Sequence, residues 1–186
     1  MPDHPGLAAV VTRLRGRSLP LFAPRPWVSW DEALRAEIAG DALGLESGDG
    51  GTAVRAGLHL WNDDLAESHA LSQRLQNPSG SYWHGLMHRR EGDLDNSAHW
   101  FRRVGDHPLF SRVWTLALSV GESMAAGGDS WCEARVADLR RAGAWDPFTF
   151  LDWCRTHGEH PWLAQVQVAE IDALLAQHML RPDRGL

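Results

Sequence analysis

Residues 82–105, YWHGLMHRREGDLDNSAHWFRRVG, hold the pattern that decides the fold. A small residue, Gly85, stands seven positions before the pair Gly92-Asp93. Glycine closes a helix in a left-handed cap, and the aspartate after it offers an oxygen to the first free amides of the next helix. Ser97 then supplies a second small side chain early in the following apolar run. The segment therefore reads as two antiparallel helices reversing at Gly92-Asp93.

The same step recurs on both sides. Asp64-Leu65 to Ser68 matches Asp93-Leu94 to Ser97, with Leu71 set against Trp100 and Leu75 against Val104. Gly121 lies seven positions before Gly128-Asp129, as Gly85 does before its own turn. A repeated supersecondary unit follows. No stretch keeps the two-residue alternation of a strand for long, so the expected class is all-α, with about eight or nine helices.

These residues resemble the tetratricopeptide repeat. In that family a small residue in the first helix admits the second, a Gly-Asp turn reverses the chain, and another small residue begins the second helix. Gly85, Gly121 and Ala56 match the first position, and Ser68 and Ser97 match the last. The resemblance covers roughly residues 52–143 and implies antiparallel helix pairs in right-handed stacking, with a concave surface made by the first helices. The motif Tyr82-Trp83-His84 to His88-Arg89-Arg90-Glu91-Gly92-Asp93 is also similar to a family of uncharacterised bacterial and fungal proteins, which implies no activity.

Around this core, residues 1–28 contain Pro2, Pro5, Pro20, Pro24 and Pro26 and are expected to form an extended arm, with 29–186 as a single helical domain. Ser29 with Glu32 and Ser130 with Glu133 have the spacing of a capping box, and the first firm helix should run from about Trp30 toward Leu45. Asp146-Pro147 places an oxygen cap directly ahead of a proline at the first helical position. His160-Pro161 opens the last helix.

Composition narrows the function classes. A formal charge of −6 disfavours nucleic acid, whose phosphates are bound by lysine and arginine. Cys132 and Cys154 are too few for a disulfide framework or a thiolate metal site. The apolar piece Leu7 to Val11 is too short for a signal-peptide core or a membrane span, so the expected location is cytoplasmic. The 10 Trp, against 1 Tyr and 5 Phe, point to indoles packed between helices, with Trp61, Trp83, Trp100 and Trp114 recurring about once per helix. Homo-oligomerisation through such a surface stays open.

Chemistry concentrates in the same segment. His84 and His88 are four apart and Glu91 three further, so one helical face presents two imidazoles and a carboxylate. That set could hold a divalent metal such as zinc, with His59 and His69 as candidates for a fourth contact. A zinc-protease signature would need glutamate directly after the first histidine, where this chain has Gly85. Buried histidines bonded to carbonyls or carboxylates explain the pair equally well. Arg89, Arg90, Arg102 and Arg103 form basic pairs that suit an anionic ligand, although adjacent arginines point about a hundred degrees apart, so at most one of each pair is expected to face inward.

Asp63, Asp64 and Asp93 read as helix caps. No nucleophile elbow or phosphate loop is present. Two readings follow. In the first, a helical-repeat module binds a small polar or anionic ligand or a partner peptide in a pocket of Trp83, His84, His88, Arg89, Glu91, Trp100 and Arg103. In the second, a metal-dependent enzyme uses His84, His88 and Glu91 as ligands.

Overall fold

In the computed structural model, residues 5–45 and 47–180 are described, and every regular element among them is an α-helix. Ten are present: α1 (Pro5–Arg15), α2 (Glu32–Ala39), α3 (Asp49–Trp61), α4 (Leu65–Ser72), α5 (Pro78–Glu91), α6 (Leu94–Val104), α7 (Phe110–Ala126), α8 (Ser130–Ala142), α9 (Pro147–His157) and α10 (Pro161–Leu180). Among the described residues no helix is long and apolar enough to cross a membrane.

Turn chemistry sets the boundaries. Gly92 adopts φ 82°, a left-handed conformation that suits glycine, and its amide bonds back to Arg89 and His88. Asp93 then accepts from the Asn96 amide and starts α6. Asp146 accepts from the Phe148 and Thr149 amides ahead of α9, with Pro147 in the first turn. At the two predicted capping boxes the serine is bypassed. Asp31 caps α2 through the Leu34 amide, and Asp129 caps α8 through the Cys132 amide. A carboxylate standing one residue before or two after the serine takes the same free donors with full charge. Ser29 is left to donate to Asp64 instead.

The N-terminal arm also departs from expectation. Over Pro5–Arg15 it is helical, because Pro5 occupies the first helical position, where a missing amide costs nothing. Only the stretch after α1 is an extended strap. It crosses the domain pinned by the Ala23 amide to the Arg90 carbonyl (2.7 Å) and the Trp30 amide to the Asn62 carbonyl (2.8 Å). The helix begun after it is shorter than expected, ending at Ala39.

Three antiparallel pairs, α3–α4, α5–α6 and α7–α8, form the body, and both helices of the first pair pack on α5. The small residues stand where helices meet closely. A side chain at Gly85 would put its Cβ 3.1 Å from the Phe101 ring, and one at Gly121 would reach Val136 at 2.6 Å. Ser97 Oγ donates to the Gly85 carbonyl at 2.7 Å across the same crossing. Ala56 is fully buried.

The last helix then packs along the first helices of the pairs. α10 lies against α3 and α7. It reaches α5 through Glu170, which accepts from Tyr82 (2.6 Å) and pairs with Arg89, and through Gln167, which accepts from Arg89 Nε at 2.9 Å. Gln167 Nε2 also donates to the Leu21 carbonyl of the strap. α10 thus covers faces of α3 and α7 and ties the strap to α5.

Candidate functional site

The stripe Ser81, His84, His88 and Glu91 runs along α5 with helical spacing, on the side facing α4 and α6. His84 is 1% exposed and His88 7%. The third imidazole comes from α4. His69 stands edge-on to His84, with ring centres 4.5 Å apart, and 5.4 Å from His88, while His84 and His88 stack at 4.9 Å. One ring nitrogen of each of the three lies within 4.8 Å of those of the other two.

The surroundings fix the protonation of this group. Burial first, and then the neighbouring His69, His88 and Arg103, hold the His84 imidazole down at about 3. His69 is lowered as well, by burial and then by His88. Both rings are therefore neutral near pH 7 and keep a lone pair. His84 Nδ1 is buried and has no hydrogen-bond partner.

Glu91 lies outside that group of three nitrogens. Its Oε2 lies 2.8 Å from His88 Nδ1. A carboxylate holding the far nitrogen of a histidine in this way is the usual outer partner of a metal-ligating imidazole. Of the residues singled out in the sequence, His84 and His88 come together with His69, one ring nitrogen of each within 4.8 Å of the others, and Glu91 lies beside His88.

The neighbouring wall is aromatic and basic. Trp100 of α6 stacks on His84 at 3.7 Å, nearly parallel at 13°, and the Arg103 guanidinium sits 5.1 Å from the Trp100 ring. Trp100 and Arg103, with Gln73, Asn77 and Ser81, line a cleft of about 350 Å³ at the N-terminal end of the same stripe. A volume of this size takes a small ligand.

The other residues singled out in the sequence have different places. Arg89 is fully buried and directed at Gln167 and Glu170, away from the imidazoles. Arg90 donates to Asp63 and to the Pro20 and Leu21 carbonyls of the strap. Arg102 lies 5.8 Å from the Phe148 ring. Trp83 is fully buried, its ring filling the space left by Gly57. Trp114 donates to the Leu139 carbonyl at 2.9 Å.

His59 is bound to Asp64 at 3.1 Å and does not reach the triad. Asp93 caps a helix through its side chain; Asp64 stands at the N-cap position of α4 but its carboxylate binds His59 and Asn62 rather than a helix amide, and Asp63 pairs with Arg17 and Arg90. Cys132 stands near Asp129 and His160, but burial and the adjacent Asp129 raise its thiol to about 11, so it is neither a nucleophile nor a ready thiolate ligand. The buried Cys154 thiol is pushed up to about 12.

No family model, curated protein or solved structure matches the chain.

Proposed function

We propose that this protein is a metal-dependent enzyme with one divalent ion of the zinc class, held by His69, His84 and His88. The observation that carries this is the convergence of three imidazoles, one ring nitrogen of each within 4.8 Å of those of the other two, with His84 Nδ1 buried and unpartnered. Tetrahedral zinc–nitrogen bonds of ~2.0–2.1 Å need ligand nitrogens about 3.3 Å apart, so the imidazoles close by at most about 1.5 Å, which small side-chain rotations supply. Three imidazoles leave one coordination position open, where a zinc-class ion makes water acidic enough to serve as a nucleophile near neutral pH. Glu91 orients His88, and Trp100 fixes His84 by stacking. The cleft beside them takes a small polar or anionic substrate, with Arg103 as its fork-shaped donor.

A second reading keeps the cleft and dispenses with the ion: a binding module for a small polar or anionic ligand or a peptide terminus. Trp100, Arg103 and Ser81 support it without reference to the histidines. The tetratricopeptide resemblance and a cytoplasmic location belong to both readings, supported by the close crossing at Gly85 and by two free, buried cysteines.

Elemental analysis of untagged protein separates the two. The metal reading expects about one zinc-class ion per chain, lost in His84→Ala and in His69→Ala, and held about 10–100-fold more weakly in Glu91→Gln. Cobalt(II) titrated into metal-stripped protein should give the visible bands of a tetrahedral site. Protein that carries no stoichiometric metal and binds no cobalt leaves only the second reading.

A further inference from the structure

The cleft of about 350 Å³ beside the imidazoles has a composition that narrows what it takes. Among the described residues it is lined by no acid and by one cation, Arg103. That guanidinium forms no ion pair among the described residues. Arginine's planar fork matches a carboxylate, and one free positive charge balances its single negative charge. A phosphate monoester carries about −1.5 to −2 at neutral pH and would need a second cation.

Ser81 adds a second donor. It is 8% exposed and lines the cleft, and its hydroxyl has no hydrogen-bond partner among the described residues. Unlike Trp83 Nε1 or His84 Nδ1, that oxygen is not sealed from solvent. Ser81 precedes His84 by three residues and Gln73 follows His69 by four, so both stand one helical turn from the imidazoles. Leu75, which is buried, and the Trp100 ring supply the apolar wall. The Arg103 guanidinium is 5.1 Å from the Trp100 ring, whose centre is 3.7 Å from that of His84, which places the anchor within a small molecule's length of the imidazole. A charge-assisted hydrogen bond of ~2.7–2.9 Å followed by one residue-length unit of ~3.3–3.6 Å covers most of that reach.

We propose that the substrate class of this site is the small N-acylated amino acid. Its carboxylate accepts from Arg103 and from the Ser81 hydroxyl, its amide meets the Gln73 carboxamide, which both donates and accepts, and its acyl group lies along Leu75 and Trp100. The amide carbonyl then faces His69, His84 and His88. Recognition uses no metal, and only the molecule's standing as a substrate rests on the proposed ion.

Hippurate, its neutral amide hippuramide, and acetylated hexaalanine are the probes, titrated into the isotope-labelled, metal-stripped full chain and followed by the shifts of its amide and indole resonances. Hippurate should bind saturably, and hippuramide at least about tenfold more weakly. Arg103→Gln should weaken hippurate at least about tenfold, while Arg102→Gln, whose side chain lies at Phe148, leaves it unchanged. Both arginines are exposed, so each variant should keep the wild-type melting curve. Ser81→Ala should weaken hippurate severalfold. No shift with hippurate at millimolar concentration overturns the proposal. Equal binding of hippuramide overturns the carboxylate recognition, and undiminished binding by Arg103→Gln overturns the location. Binding of acetylated hexaalanine at least about tenfold tighter than hippurate overturns the small molecule in favour of a peptide terminus. A chain that binds hippurate but carries no metal keeps this recognition and loses the enzyme, whereas a chain with stoichiometric metal that ignores hippurate does the reverse.

Discussion

Replacing Arg89 with methionine removes the cation of a pair that has no contact with water. Both side chains of the Arg89–Glu170 pair are 0% exposed, Glu170 also accepts from Tyr82, and Arg89 Nε holds the Gln167 carbonyl. Removing one partner of such a pair costs ~3–5 kcal/mol, because the remaining charge stays buried without compensation. The lost Gln167 bond adds ~1 kcal/mol, and a similar amount is regained because Arg89 Nη1 is itself a buried donor without a partner.

Methionine retains most of the packing over Phe150, which the guanidinium now covers at 4.8 Å. The net expectation is a loss of about 3–4 kcal/mol, a large share of the ~5–15 kcal/mol available to a domain. Urea unfolding followed by circular dichroism and tryptophan fluorescence measures it. The double variant Arg89→Met with Glu170→Gln removes both charges while leaving Tyr82 an acceptor, and should recover at least about half of the loss. If Arg89→Met costs under ~1 kcal/mol, or the double variant is no more stable than the single, the buried pair does not hold α10 to α5 in the way described.

Burial lowers the His107 imidazole to about 4 from its ordinary 6.5, and His178 facing it is lowered likewise. The neutral form is the folded one, so its stabilisation is full above pH ~6.5 and is lost as the pH falls toward 4, by at most roughly 3 kcal/mol. The stability difference between wild type and His107→Gln should accordingly shrink on acidification across that window, and a difference independent of pH would refute this. Gly85→Leu should destabilise by ~1–3 kcal/mol through collision with Phe101. An unchanged thermal melt would show that the crossing has room. Asp146→Ala removes the acceptor for two amides at the start of α9 and should cost ~1 kcal/mol in a urea titration, with no effect on metal content.

The features legible in the sequence are those carried by neighbours along the chain. Gly92-Asp93, Asp146-Pro147 and the His84/His88 spacing depend only on helix geometry and local hydrogen bonding, and each is found where expected. What was not legible depends on tertiary packing. His69 enters the imidazole group because α4 lies on α5, a fact no local spacing encodes, and this displaces Glu91 to the outer position. Arg89 looked like a ligand-binding residue because its partners, Gln167 and Glu170, are 78 and 81 residues away. Pro5 argues against a helix on composition alone, yet α1 begins at it, because proline is disruptive only after the first turn.

The position of α10 bears on how the chain reaches its native state during synthesis. In a solenoid each unit buries its face on the next, so folding propagates from one end as the units emerge. Here Arg89 and Tyr82 wait for Glu170, the strap waits for Gln167, and the Trp162 indole donates to the Ala117 carbonyl of α7. A nascent chain stopped before Pro161 therefore exposes a buried cation and a Trp-sized gap. The native packing of α5, α7 and the strap is therefore complete only once α10 is in place.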